Sequence, residues 1–372
     1  MKRVVFCHNT AQYIFMHYQE LAKSVVDAQC ELICVVPKDD YCNELEKLGA
    51  KVVDWSLSQH GQNPIREIES ILKLNRILAK LNPDLILSFS IKPNLYISLL
   101  NSISNRYKQF CMITGLGYVF IGTGFGKSLF RRLIVLLYRA GFRNVTGVFF
   151  QNDEDERVFQ LERIVRQNQS RVIPGTGIDL TWIKPEVSIG SKMPLKFLYV
   201  GRLLIDKGVR ELVNAARALK GEAVSFSLLG PIDSNPQGLS KDWIDQLEKE
   251  GLVKYLGIEE DVRPVLQQHD IFVLPSYREG LSRSIMEAMA AGMPVITTDV
   301  PGCRDLVEDG VEGFVVPPKD SDAICIAALK FIKNPELIAS MGESSRRRVE
   351  RDFDVHKVNK LVLSRMGITS AS

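Results

Sequence analysis

The residues best suited to chemistry lie in the second half of the chain. Glu279 and Glu287 stand eight positions apart in the run Ser276-Tyr277-Arg278-Glu279-Gly280-Leu281-Ser282-Arg283-Ser284-Ile285-Met286-Glu287-Ala288. The run follows Ile271-Phe272-Val273-Leu274-Pro275, an apolar strand pattern, and doubly wound sheets bind ligands outside the carboxyl ends of strands. A helix starting near Leu281 places Ser282 and Ser284 in its first turn, where free N–H groups and the positive dipole end suit a phosphate. Gly280 allows close backbone approach just before it. Eight residues of helix span about 12 Å. Two carboxylates so spaced do not share one proton-transfer centre, but they can grip both ends of an extended ligand. A diphosphate between two sugars fits, with one carboxylate on the transferred sugar's hydroxyls and the other on a ribose diol. An acidic residue answering the helix dipole and a second on a solvated face fit the spacing equally well.

A second cluster is Gly201-Arg202-Leu203-Leu204-Ile205-Asp206-Lys207-Gly208, which follows the strand pattern Phe197–Val200 and leads into the helical stretch Val209–Leu219. Arg202 as a bidentate fork and Lys207 as a point charge suit a leaving diphosphate. An arginine and a lysine flanking a helix start are also common without function. No GxGxxG or Walker loop is present, so nicotinamide and ATP fingerprints are absent. The five histidines show no HxxxH spacing, and the seven cysteines form no CxxC pair; small buried thiols in a reducing compartment are expected. Asp153-Glu154-Asp155 opens a helical pattern, where acidic residues answer the dipole, and no metal site is expected there.

These residues need elements to position them. Thirteen short apolar runs alternate with helical-period segments. The first seven are Val4–Cys7, Glu31–Val36, Lys51–Trp55, Asp84–Phe89, Gln109–Ile113, Gly147–Phe150 and Arg171–Ile173. The other six are Leu195–Gly201, Val224–Gly230, Val253–Gly257, Ile271–Pro275, Pro294–Thr298 and Gly313–Val316. Runs apolar throughout indicate parallel strands covered on both faces, hence α/β doubly wound architecture. The 372 residues are enough for two domains, and the turn-rich stretch from Pro174 to Pro194 is the expected linker. The expected domains are 1–180 together with about 355–372, and 190–354.

Charge divides the same way. Residues 1–175 hold 22 basic and 16 acidic side chains and the remainder 25 and 28, net +6 against −3. The stretch Lys127–Arg143, KSLFRRLIVLLYRAGFR, has five basic residues and no acidic one. Helical spacing sets Lys127, Arg131, Arg132, Arg139 and Arg143 mostly on one side and Leu129, Phe130, Leu133, Leu136 and Leu137 on the other. Such a helix can lie on an anionic membrane, or it can simply be buried with a solvated basic face. Arg346-Arg347-Arg348 either adds to that surface or is solvated. No recognised nucleic-acid module accompanies the charge, and no apolar stretch reaches the roughly 20 residues of a membrane span. MKRVVFC enters a strand pattern directly, with no signal-peptide core, so cytoplasmic residence is expected.

Glu279-(seven residues)-Glu287, the upstream Gly201-Arg202…Lys207-Gly208, Gly292-Met293-Pro294-Val295-Ile296 and Gly302-Cys303…Gly310…Gly313-Phe314 together resemble retaining family 4 glycosyltransferases of GT-B type. The resemblance implies two Rossmann-like domains facing a cleft, with a C-terminal helix crossing back to the first. It implies that Glu279, Arg202 and Lys207 are catalytic, Glu279 on the donor sugar's hydroxyls and the two cations on the diphosphate. Glu287 would hold the ribose, amides at Gly280, Leu281 and Ser282 and the turn at Gly201 would face the diphosphate, and Leu256-Gly257 would meet the base. No metal or cofactor is implied.

In the first half, His8-Asn9-Thr10 stands where the family often has paired glycines, and Lys92 where many relatives place a histidine. His8 and Lys92 are therefore candidate substrate contacts, and a polar loop residue is the alternative for His8. Gly115 and Gly117, in Thr114-Gly115-Leu116-Gly117-Tyr118, resemble a segment of transferases that extend undecaprenyl-diphosphate-linked sugars, closest to bacterial N-acetylgalactosaminyl-type enzymes. A surface loop is the alternative for this run, which continues in Gly122-Thr123-Gly124.

The implied reaction is retaining, metal-independent transfer of an N-acetylhexosamine such as GalNAc from a UDP-sugar to an undecaprenyl-diphosphate-linked saccharide. It would take place at the inner face of the bacterial cytoplasmic membrane. Three rivals are a nucleotide-sugar epimerase of the same fold, a glycosidase using the two glutamates, and a non-catalytic nucleotide-sugar-binding protein. The glycosidase needs carboxyls about 5–9.5 Å apart, which helical separation makes awkward.

Overall fold

The computed structural model describes residues 1–56, 64–116, 125–185, 193–233 and 238–369. Each of the thirteen apolar runs contains a strand. The strands are β1 Arg3–Cys7, β2 Glu31–Val36, β3 Lys51–Asp54, β4 Leu85–Phe89, β5 Lys108–Ile113, β6 Gly147–Phe150 and β7 Ser170–Val172. They continue as β8 Leu195–Val200, β9 Val224–Leu229, β10 Lys254–Tyr255, β11 Ile271–Leu274, β12 Val295–Thr298 and β13 Gly313–Val316. The first sheet is ordered β3-β2-β1-β4-β5-β6-β7 and the second β10-β9-β8-β11-β12-β13. Their pairings are parallel throughout. Strand order reverses at β1/β4 in one sheet and β8/β11 in the other, and a doubly wound sheet opens its ligand crevice at that reversal.

Period-two alternation explains the continuous apolar runs. In the first sheet Val4, Phe6, Leu32, Cys34, Leu87 and Met112 face one core with the helix Ala11–Asp27. Val5, Cys7, Ile33, Val35, Ile86 and Cys111 face the other, with helices Pro64–Leu81, Ile91–Ser104 and Phe125–Gly141. Both faces are dry, so both parities must be apolar. Six of the seven cysteines are buried, Cys325 is half-buried, and all are free thiols.

The chain divides into two compact units, residues 1–176 with 356–372, and residues 177–355. The second unit thus begins earlier than the linker reading expected. Residues 177–185 are already part of it: Ile178 and Ile183 are buried in its core, and Ile178 N–H donates to Phe353 O at 2.8 Å. Residues 186–192 of the expected linker lie outside the described residues. The C-terminal helix Val355–Arg365 returns to the first unit, where Val362, Leu363 and Met366 join the core of Val4 and Phe6.

The helix Phe125–Gly141 departs from the expected division of faces. Val135 and Tyr138 are buried, whereas Leu133 and Leu136 are 52% and 58% exposed, beside exposed Arg132 and Arg139. Arg131 and Arg139 both reach the Glu162 carboxylate, at 2.7 and 3.4 Å. The outward face is therefore mixed leucine and arginine rather than purely basic. The side chains of Lys127, Leu129 and Phe130, together with Gly117 and Gly122–Gly124, lie outside the described residues. Arg346 serves neither a membrane nor solvent: its guanidinium donates to the carbonyls of Ile183 and Ala290, at 2.8 and 2.7 Å. Arg348 pairs with the buried Glu312 at 3.0 Å. Asp153-Glu154-Asp155 opens the helix Asp153–Leu161, with the Asn152 side chain accepting from Asp155 N at 2.8 Å. Among the described residues no cluster of metal-ligating side chains forms, and no helix is long and apolar enough to cross a membrane.

Candidate active site

The strongest candidate residues sit at the carboxyl ends of β8 and β11, the two strands that flank the second sheet's reversal. From β11 the chain runs through Pro275 and Ser276 to Glu279, then enters the helix Arg283–Ala290. Glu279 thus lies on the loop, not on the helix, whose N-cap is Ser282, with Oγ accepting from Ile285 N. This corrects the helical measure of the Glu279–Glu287 separation. From β8 the chain passes Gly201 and Arg202 and makes one 3₁₀ turn, Ile205–Lys207.

One backbone contact ties the β11 loop to the β8 loop, and two tie it to the Pro301–Gly302 turn after β12. Tyr277 N–H donates to Asp206 O at 2.8 Å, Glu279 N–H to Pro301 O at 3.1 Å, and Ser282 N–H to Gly302 O at 3.0 Å. Gly208, at φ +72°, lies so close to β11's end that an added Cβ would stand 2.0 Å from Pro275 O. Gly302, at φ +75°, closes on the Glu279–Gly280 peptide in the same way, at 2.6 Å from Gly280 O. These two glycines are required by approach, not only by dihedral angle.

The clamp brings Lys207 Nζ within 2.5 Å of Glu279 Oε1, with the two side chains 20% and 13% exposed. Ser276 Oγ donates to the same oxygen at 2.7 Å. Both bonds fall on Oε1, so the carboxylate is oriented through one oxygen, and among the described residues Oε2 is available to accept from a hydroxyl. Beneath the pair lies Tyr199, fully buried, its OH donating to Arg202 O at 2.8 Å. Burial, reinforced by Glu279 and Asp206, pushes this phenol well above its ordinary value, so it remains a donor.

The other predicted residues are held separately. Arg202 is 58% exposed and pairs with Asp233 at 3.2 Å, keeping its head at the mouth of the strand ends. Glu287 is bound by Arg283, four residues earlier, through Nε at 2.8 Å. Burial raises the Glu287 carboxyl and Arg283 opposes the rise. Gly201, Gly230 and Gly257 stack at three successive strand ends: Gly230 N–H donates to Gly257 O at 2.8 Å, and an added Cβ on Gly230 would stand 2.1 Å from Gly201 O. Leu256, half-buried, donates its N–H to Leu228 O at 2.8 Å.

In the first unit His8 follows β1 at that sheet's own reversal. It is 5% exposed and stacks on Tyr13 at 4.3 Å. Burial lowers it to about 4, against the opposing effects of its Thr10 hydrogen bond and Asp39. It is therefore a neutral imidazole at physiological pH. Nδ1 stands 3.0 Å from both the amide nitrogen and the carbonyl oxygen of Thr10. Across the reversal Ser90, at φ +62°, donates from Oγ to Asn9 Oδ1 at 2.7 Å. Lys92 pairs with Glu67 at 2.8 Å, and the Tyr96 hydroxyl donates to that same carboxylate. Gly115 adopts φ +142°.

Sequence reasoning missed Ser276, Arg283 and Asp233. Of these Arg283 was legible, because an oppositely charged pair at i,i+4 faces one way on any helix. Ser276 and Asp233 carry no such local signal.

Residues 3–152 match the family model described as Glycosyl transferase 4-like, and residues 183–348 match Glycosyl transferases group 1. Among solved structures, the chain superposes on sucrose-phosphate synthase from Thermosynechococcus elongatus with TM-score 0.81 at 19% identity, covering 98% of each chain. It superposes on Anabaena HepE in complex with UDP and glucose with TM-score 0.80 at 18% identity, covering 99% of this chain and 100% of that one. Fold and matched regions together define a glycosyltransferase of the GT-B type.

The chain is 30% identical over 330 residues to the N,N'-diacetylbacillosaminyl-diphospho-undecaprenol alpha-1,3-N-acetylgalactosaminyltransferase of Campylobacter jejuni, covering 86% of both. It is 24% identical over 311 residues to the UDP-Gal:alpha-D-GlcNAc-diphosphoundecaprenol alpha-1,3-galactosyltransferase of Escherichia coli, covering 79% of this chain and 77% of that one. The chain belongs to the family 4 glycosyltransferases.

Proposed function

We propose that the protein transfers a sugar, an N-acetylhexosamine such as GalNAc, from a UDP-sugar to a saccharide carried on undecaprenyl diphosphate. The transfer retains configuration and uses no metal. The observation that carries the reading is the Lys207–Glu279–Ser276 cluster clamped at the second sheet's reversal. Lys207 offers a positive charge where a departing diphosphate develops negative charge, and Arg202 offers a second. Glu279 Oε2 accepts a hydroxyl of the transferred sugar, while Glu287, oriented by Arg283, takes the ribose diol. The departing phosphate itself accepts the proton of the incoming hydroxyl on the same face. The two relatives above, named as acting on diphospho-undecaprenol sugars, support the acceptor class.

The test is one panel. UDP- and GDP-linked hexoses and N-acetylhexosamines are offered with free sugars and with sugars on polyprenyl diphosphate, reading nucleotide release and product. Transfer requiring both a UDP-sugar and a diphosphate-linked acceptor is expected. Conversion of UDP-sugar without acceptor would instead establish the epimerase reading.

Peripheral attachment to an anionic membrane belongs to the same proposal. Leu133 and Leu136 stand exposed among Arg132, Arg139 and Arg143. The helix Pro64–Leu81, on the same sheet face, exposes Ile65, Ile68 and Leu72 at 68%, 58% and 49%. Exposed apolar side chains interspersed with arginine suit the interface between acyl chains and headgroups. Flotation with vesicles rich in anionic lipid at low salt should carry the parent protein and release most of the Leu133→Ser, Leu136→Ser variant. Equal flotation of the two, or none by the parent, would rule this surface out.

A further inference from the structure

Tyr277 joins the turn that carries Lys207 to the loop that carries Glu279. It stands two positions before Glu279, on the loop after β11. Its amide N–H donates to Asp206 O at 2.8 Å, one residue before Lys207. Its hydroxyl donates to Glu211 Oε1 at 2.7 Å, in the first turn of the helix Val209–Ala218. Lys207 is therefore bracketed: one side chain and its own amide hold the chain one residue before it and four residues after it.

The bond to Glu211 has no substitute nearby. Glu211 is half-buried, and its Oε2 is buried without a hydrogen-bond partner among the described residues. Its Oε1 depends on the Tyr277 hydroxyl. Without that hydroxyl the carboxylate is left buried and short of donors, and the helix start must shift until water reaches it. Burial, and then the bond to Glu211, push the Tyr277 phenol above its ordinary value, so it stays a donor at physiological pH.

The ring is held from a third strand end. Lys319, which follows β13, places its ammonium 4.9 Å from the ring centroid, where the aromatic quadrupole attracts a cation. Lys319 adopts φ +64°, a left-handed backbone that a lysine rarely takes and that the surrounding structure must maintain. The next residue, Asp320, caps the helix Ser321–Lys333, accepting from Ala323 N–H at 2.9 Å. That helix packs on Val209–Ala218, so the cation and the carboxylate that grip Tyr277 stand at adjoining helix starts.

We propose that Tyr277 is a positioning residue for the reaction: bound to Asp206 and Glu211, it sets where Lys207 stands relative to Glu279 and to the departing diphosphate. The proposal rests on the role given to Lys207 and Glu279 above. Gly208 permits the close approach of the two loops, and Tyr277 fixes where in that approach they stop. It acts through Lys207 rather than by touching the substrate. Its removal is therefore felt where negative charge develops on the diphosphate as the sugar leaves. Free UDP already carries that charge, whereas an intact UDP-sugar does not.

Two measurements test it: turnover of UDP-N-acetylgalactosamine with farnesyl-diphosphate-linked N-acetylglucosamine, and calorimetric titration with UDP. A hydrogen bond to a charged group corresponds to about 10–100-fold. Tyr277→Phe, which keeps the ring, should lower kcat about tenfold while KM for the donor changes less than about threefold. UDP should bind that variant about five- to tenfold more weakly. Glu211→Ala should reproduce both losses, and the Tyr277→Phe, Glu211→Ala double variant should be no worse than either. Glu211→Gln, which keeps an acceptor for the hydroxyl, should restore most of kcat. In a Lys207→Ala background Tyr277→Phe should change neither turnover nor UDP binding further. Parent kcat and UDP affinity in Tyr277→Phe, or equal losses with and without Lys207, overturn the role. A loss that follows a lowered Tm and is not rescued by Glu211→Gln also overturns it. The titration needs no acceptor, so it decides the role whichever sugar is moved. A parent that converts the UDP-sugar without acceptor, and is slowed by Tyr277→Phe only where Lys207 is present, refutes transfer and leaves the positioning role standing. Full turnover in folded Lys207→Ala overturns both.

Discussion

Lys207→Ala is expected to lower kcat for sugar transfer by about 10²–10³-fold, as removal of one preorganised charge-stabilising donor does elsewhere. The geometry makes the effect specific. Lys207 is 20% exposed, lies at the end of a 3₁₀ turn held by the Asp206 carbonyl, and is fixed on Glu279 Oε1 at 2.5 Å. Glu279→Ala is expected to be at least as severe, because it removes both the sugar contact and the partner that aims Lys207. Since the two residues act as one unit, the double variant should be little worse than either single one, a coupling in a double-mutant cycle as large as one single effect, about 3–4 kcal/mol. Steady-state transfer with purified, thermally melted controls checks this. Full activity in either folded single variant would remove the cluster from the mechanism.

The second large effect is placed on a residue with no side chain. Gly208→Ala adds a Cβ 2.0 Å from Pro275 O at a backbone φ of +72°. The end of β11 and the turn after β8 must then separate, which pulls Lys207 from Glu279. Strain at a left-handed position together with the clash should cost about 2–4 kcal/mol. For a unit of this size that lowers Tm by about 5–15 °C. Activity should fall at temperatures where the variant is still folded, since the damage is to the clamp. An alanine variant with the parent's Tm and kcat would mean that the two loops do not need this approach. Gly257→Ala is the internal comparison: at φ +76°, an added Cβ there meets nothing within 4 Å. It should therefore show only the smaller penalty of left-handed backbone.

Strand positions were readable because burial on both faces leaves no polar parity along a parallel strand. Val4-Val5-Phe6-Cys7 and Ile271-Phe272-Val273-Leu274 are apolar at every step for that reason. The site's address was readable too, since Glu279 and Lys207 both follow strand runs, and ligands gather beyond the carboxyl ends of such strands. Partner choice was not. Arg202 could be matched to a diphosphate from sequence, but Asp233 is its neighbour in the fold. Lys92 looked free for substrate, and Glu67, 25 residues earlier, takes it up. The helix Phe125–Gly141 shows the same limit: its periodicity told polar from apolar, but which side meets Tyr107, Phe142 and Phe159 was set by neighbours distant in sequence.

Local periodicity and residue type were therefore sufficient for the two-sheet architecture and pointed to the candidate loops, whereas the crossing of the last helix to the first unit was implied by the family resemblance. Folding in three dimensions settled what each charged group touches. It put Lys207 on Glu279, Lys92 on Glu67 and Arg346 on internal carbonyls, and it neutralised His8 by burial. The physical reason is range. Hydrophobic periodicity is written into adjacent residues, whereas an ion pair depends on which distant strand ends and helix starts are brought within about 3 Å.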